Sequence, residues 1–149
     1  MSSFVFRLDR FLRLRVHAER KRAEELGVAV REEEISKLEA EAEAKRLEAI
    51  VGQPPIEPGS VATAGALQNR DLILDAAVQQ ADRAMDCHQD KKKAAELQRE
   101  LWGKARVERR MIERLRERRE SAWATNAARA EQREMDETAA RVRANGGQH

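Results

Sequence analysis

Tyrosine is absent from this chain, aromatic residues make up only 3% of it, and there is a single cysteine, Cys87. One cysteine excludes an intramolecular disulfide and fits a reducing compartment. Too few large apolar groups are present to wall a deep pocket, which argues against a small-molecule substrate, a cofactor or a catalytic site. There is no apolar run of membrane-spanning length, and the N-terminal stretch from Met1 to Phe11 carries arginines among its hydrophobic residues. A spanning helix and a secretory signal are therefore not expected, and the reading is cytoplasmic. Also missing are the glycine-rich phosphate loop, the nucleophile elbow and the zinc-binding helix motif. Cys87 and His88 are neighbours and point to different faces, so no metal site is expected.

Proline is scarce but concentrated. All three prolines (Pro54, Pro55, Pro58) and two of the seven glycines (Gly52, Gly59) fall between Gly52 and Gly59. Proline removes a helix hydrogen bond and clashes with the preceding turn, so helices stop at such a cluster. What is abundant is charge, 38% of residues, together with alanine, the strongest helix former. High charge with 3.5-residue apolar periodicity marks a coiled coil, and 29 basic against 27 acidic residues leave too little net charge to force disorder. The expected fold is all-α: two long helices forming an antiparallel coiled-coil hairpin, the second helix longer.

The expected first helix runs from about residue 3 to 51, the loop from about 52 to 63, and the second helix from about 64 to 144, followed by a short flexible tail. Together they form one hairpin domain. At 1.5 Å per residue the second helix exceeds the first by roughly 50 Å. Folding at the loop sets Phe4 opposite about Arg110 and leaves residues from Ile112 onward as an overhang without intramolecular partners. The first seam reads Phe4, Leu8, Phe11/Leu12, Val16, Ala23, Leu26 and Val30, continued by Leu38 and Leu47. On the second helix, Leu74, Val78, Ala81, Met85, His88, Lys92 and Ala95 are out of phase with Leu101, Ala105, Glu108, Ile112 and Leu115. A stutter is therefore expected near Ala95 to Gln98.

Charge is unevenly spread, with net +5 over residues 1–22, −5 over 24–50, −4 over 51–90 and +6 over 91–120. A hairpin would have a basic open end and an acidic loop end, able to orient a partner over a Debye length of about 8–10 Å. Residues 104–119 are rich in arginine, but glutamates interleave with them. A solvated helix face accounts for that pattern, and a nucleic-acid partner is not expected.

Two stretches carry a family likeness. The run Val107-Glu108, then Ile112 through Arg119, Trp123, and Glu131 through Glu137 resembles the C-terminal pattern of the flagellar export protein FliJ. The opening Phe4-Val5-Phe6-Arg7-Leu8 through Arg15 is similar to the start of that family. Residues 35–100 match in character alone, and Trp123 stands where a tyrosine is more usual. The resemblance implies a non-catalytic stalk of the flagellar type III protein export apparatus, like the central stalk of rotary ATPases and part of the machinery of motility. Implied partners are the hexameric flagellar export ATPase, the export-gate membrane protein and export chaperones. The implied location is the cytoplasmic side of the inner membrane at the flagellar base, peripherally attached. An injectisome stalk protein and a generic coiled-coil scaffold are alternatives that stay open.

Candidate partner-binding residues follow from the motifs: Phe6, Arg15, Glu113, Leu115, Arg116, Arg119, Trp123, Gln132, Asp136 and Glu137. The three phenylalanines either pack on the second helix near Trp102 and Gly103 or serve as an exposed anchor. Phe6 cannot share a helical face with both Phe4 and Phe11, so it is expected to be the free one. Trp102 is expected in the core and Trp123 at an interface. The polar members of the C-terminal motif are either a solvated face or contacts to the ATPase ring.

Overall fold

In a computed structural model the chain is two helices, α1 (Asp9–Gly52, 44 residues) and α2 (Ala64–Gly146, 83 residues). The structure describes residues 2–54, 59, 61 and 63–147. The fold is all-α, with 91% of the described residues helical, and the contacts of α1 with α2 fit an antiparallel hairpin in which α2 is the longer helix. Proline and glycine end α1 as expected, although Pro55 and Pro58 lie outside the described residues. Gly59 takes a φ of 93°, a left-handed conformation that a residue without Cβ adopts at no steric cost. Thr63 starts α2: its Oγ1 accepts a hydrogen bond from the Ala66 amide (3.2 Å) and its carbonyl one from Leu67 (3.2 Å).

The chain divides into two compact units. In the unit of residues 20–103, small residues let the helices approach closely: Ser36, Ala40 and Ala77 are buried, and Ala95 is fully enclosed at 0% exposure. Sheltered positions on α1 step by four and three through Leu26, Ala29, Glu33, Ser36, Ala40, Glu43, Leu47 and Ile50. Those on α2 do the same through Leu74, Ala77, Ala81, Ala84, His88, Lys91, Ala95, Gln98 and Trp102. The step of 3.5 continues unbroken past Gln98, so the stutter expected there is absent. Val78, Met85 and Lys92 lie one position off the seam and are exposed, as are Ala23, Val30 and Leu38 on α1. Apolar character misplaced the seam because twelve of these seventeen seam positions are polar or alanine. Cross-strand contacts are correspondingly polar: Lys91 with Glu32 (3.1 Å), Arg99 with Glu33 (3.8 Å), and Ser36 Oγ 3.4 Å from His88 Nδ1. The Glu32 carboxylate raises the Lys91 pKa, chiefly through their hydrogen bond.

Register in this unit starts where the Arg70 guanidinium donates to the Gln53 carbonyl (3.2 Å). The first turns of α2, before Arg70, thus precede the pairing. A fold centred on the proline cluster omits this offset.

In the other unit, residues 1–19 and 104–149, α1 begins at Asp9 and not near Ser3. The Phe6 carbonyl accepts from the Asp9 amide (3.0 Å) and the Leu8 carbonyl from Leu12 (2.8 Å), which close the first turn. Residues 2–7 form a non-helical strap. Non-helical backbone advances up to about 3.3 Å per residue against 1.5 Å in a helix, so the strap reaches further along α2 than helix would. Asp9 already faces Arg116 and Phe6 faces Arg119, so Phe4, two residues further along the strap, meets Trp123 instead of Arg110.

Candidate functional site

The strap lies along the continuation of the α2 seam. Counting on from Ala105 by steps of four and three gives Arg109, Ile112, Arg116, Arg119 and Trp123. Four contacts fall on this row and a fifth, at Glu108, lies beside it. Glu19 pairs with Arg109, which also holds Glu113 at 2.6 Å. Arg15 pairs with Glu108, and its guanidinium lies 4.8 Å over the Phe11 ring. Asp9 lies 3.8 Å from Arg116, Phe6 lies beneath the Arg119 guanidinium at 6.0 Å, and the Phe4 and Trp123 rings are 6.1 Å apart, tilted by 51°.

The charges here are matched. The Arg13 hydrogen bond (2.6 Å) is the largest cause holding the Asp9 carboxyl below its usual range, with the charges of Arg13 and Arg116 adding to it. At the first turn of α1 that carboxylate also opposes the positive end of the helix dipole. The Arg109 pKa is raised by its hydrogen bonds to Glu19 and then Glu113.

These contacts change the standing of several residues. Phe6, expected to be free, is buried at 6% exposure, because in a non-helical strap residues two apart no longer follow helical faces. Leu115 and Glu113 are half-buried, so the overhang does not begin at Ile112. Arg15, Arg116, Arg119 and Trp123 all have intramolecular contacts; Trp123 remains 39% exposed beside Phe4. The structure thus brings Phe6, Arg116, Arg119 and Trp123 onto one row. Gln132, Asp136 and Glu137 stand apart from it, further along α2.

Beyond Ala127 every described residue of α2 is exposed. The helix there is held by its own side chains: Gln132 donates to the Asp136 carboxylate (3.0 Å) and Arg141 lies 3.9 Å from Glu137. Met135 and Val142 are exposed on this stretch, beside Thr138 and Ala139. This strip is one face of a single helix and encloses nothing. Phe4, weighed from sequence only alongside the other two phenylalanines, and Asp9, Met135 and Val142 were not among the residues singled out from the motifs. The sequence signal for the first two was the four–three stepping from Arg109 to Trp123.

Among the described residues no cluster of three metal-ligating side chains occurs, and no helix is long and apolar enough to cross a membrane. Compared with known proteins, the chain matches the family model described as "Flagellar FliJ protein" over residues 4–148. No curated protein and no solved structure matches it.

Proposed function

The chain belongs to the FliJ family, and from that premise we propose that it is the non-catalytic stalk of a flagellar type III export apparatus. Family membership gives an export-related role in the flagellum. The finer reading has the unpaired end of α2 entering the pore of the hexameric export ATPase. Other parts of the chain would reach the export-gate membrane protein and export chaperones, on the cytoplasmic side of the inner membrane. The observation that supports it is the stretch from Ala128 to Gly146: helical, yet exposed on all sides. A helix end with no packed face draws no stability from tertiary contacts, so a surface that receives it has a physical use.

The residues assigned to the ring contact are Gln132, Asp136 and Glu137, with Trp123 at the edge of the strap. Phe6, Arg15, Glu113 and Leu115 support the paired part of the same unit. The test is ATP hydrolysis by the purified export ATPase with and without this chain. The Q132A/D136A/E137A variant should melt like the wild type and lose most of the stimulation. Full stimulation by that variant, or by a chain ending at Ala127, sinks the ring-insertion reading.

A further inference from the structure

The outer side of α2 carries charge sorted by sign, in two rows whose members form no ion pair among the described residues. In the unit of residues 104–149 and 1–19, Lys104, Arg110, Arg114 and Arg118 are exposed, and none forms an ion pair with a described residue. They flank exposed Val107 and Met111 on the side of α2 away from Ala105, Arg109 and Ile112. Arg118 Nε reaches the Arg114 carbonyl at 3.4 Å, a backbone contact that leaves the charge unmatched. In the unit of residues 20–103, Asp71, Asp75, Asp82 and Asp86 are exposed on α2 and likewise lack an ion pair among the described residues. Arg83 interrupts the acidic row and Glu117 the basic one.

Sorting of this kind opposes helix stability. Like charges four apart, as in Asp71/Asp75, Asp82/Asp86, Arg110/Arg114 and Arg114/Arg118, repel along the helix, whereas alternating signs would attract. Elsewhere the chain does alternate, as in Arg13 with Asp9, Arg109 with Glu113 and Arg141 with Glu137. A face that only met water would have no reason to differ. The two rows are also close in length. Lys104 to Arg118 spans 14 steps of helix and Asp71 to Asp86 spans 15, about 21 and 22 Å. Run antiparallel with Lys104 opposite Asp86, Arg110 falls two residues from Asp82, and Arg114 and Arg118 fall one residue from Asp75 and Asp71. Offsets of that size, about 3 Å, are within the reach of an arginine side chain.

We propose that the basic row of one molecule docks on the acidic row of a second copy of this chain. The contact is electrostatic, with Val107 and Met111 at its centre, and therefore weak at high ionic strength. It uses neither the α1–α2 seam nor Gln132, Asp136 and Glu137, so it is independent of the ring-insertion reading.

Sedimentation velocity of the full chain tests this across protein concentration, at about 20 mM and about 500 mM salt, where the screening length falls from roughly 20 Å to under 5 Å. Self-association at low salt that weakens by about tenfold or more at high salt is the expected result. A chain that stays monomeric at low salt overturns the proposal. Two charge-reversed variants, D75R/D82R/D86R and R110E/R114E/R118E, should each associate at least tenfold more weakly alone. Mixed in equal amounts they should associate again, since the reversed rows complement each other. Circular dichroism confirms that both variants are helical. If both fold and the mixture remains monomeric, or if either variant alone associates like the wild type, the rows are not the interface.

Discussion

Asp9 shows how one side chain can join two elements. It opens α1, accepts from Arg13 within its own helix and faces Arg116 on α2. Its folded pKa lies below the ordinary carboxylate value of about 3.9, so the unfolded chain binds the proton more readily. The stabilisation is fully present above the unfolded value and disappears as pH falls through the lowered folded value. Asp9→Asn should therefore melt below the wild type at pH 6, and the gap should close on acidification into that lower range. Thermal melts of the two proteins across pH 2–6 check this. A gap that persists at the lowest pH would mean that Asp9 acts through packing and not through its charge. The neighbouring Phe6 is a different case, because its burial comes from strap geometry and is insensitive to pH.

At the scale of the element, α2 follows its 3.5-residue register through residues that carry little hydrophobic signal. Ala77 and Ala95 are the buried points of the α2 seam, while the larger Val78 and Met85 face water. Glu43 and Gln98 lie on the seam with shielded oxygens, Oε2 and Oε1, that have no hydrogen-bond partner. Such a seam fixes register by close approach and polar matching more than by bulk. Ala95→Leu should cost about 1–3 kcal/mol by overpacking, whereas Met85→Ala should stay within about 0.5 kcal/mol. Urea denaturation followed at 222 nm separates the two. Reversal of that order would restore Met85 to the seam and reinstate the phase break expected at Ala95 to Gln98.

On the scale of the whole molecule, stability and exposure reside in different parts of the chain. Residues 104–149 with 1–19 carry 16 basic and 10 acidic side chains, net +6, against 13 and 17, net −4, in residues 20–103. All described residues from Ala128 onward are exposed and contribute nothing to a seam. A chain ending at Ala127 should lose helical signal in proportion to the residues removed and keep its unfolding midpoint, with a change within about 0.5 kcal/mol. Differential scanning calorimetry decides it. A large drop in midpoint would show that the end of α2 folds against the rest.

Helix content, the break at the proline cluster, the greater length of α2 and the family itself were legible in the residues, because each depends on local chemistry. Proline excludes helix wherever it stands, alanine with alternating charge favours it, and the motifs at both ends are short and contiguous. Tertiary structure alone decided the pairing. The pairing of Asp9 with Arg116 and of Phe6 with Arg119 carries Phe4 from Arg110 to Trp123, and no local signal encodes such a shift. It also decided that Phe6 is buried and that the unpaired part of α2 starts after Ala127. Where the seam is built from alanine, serine and glutamate, hydrophobicity cannot mark the inward face. That face is set by which helix packs against it, and at what register.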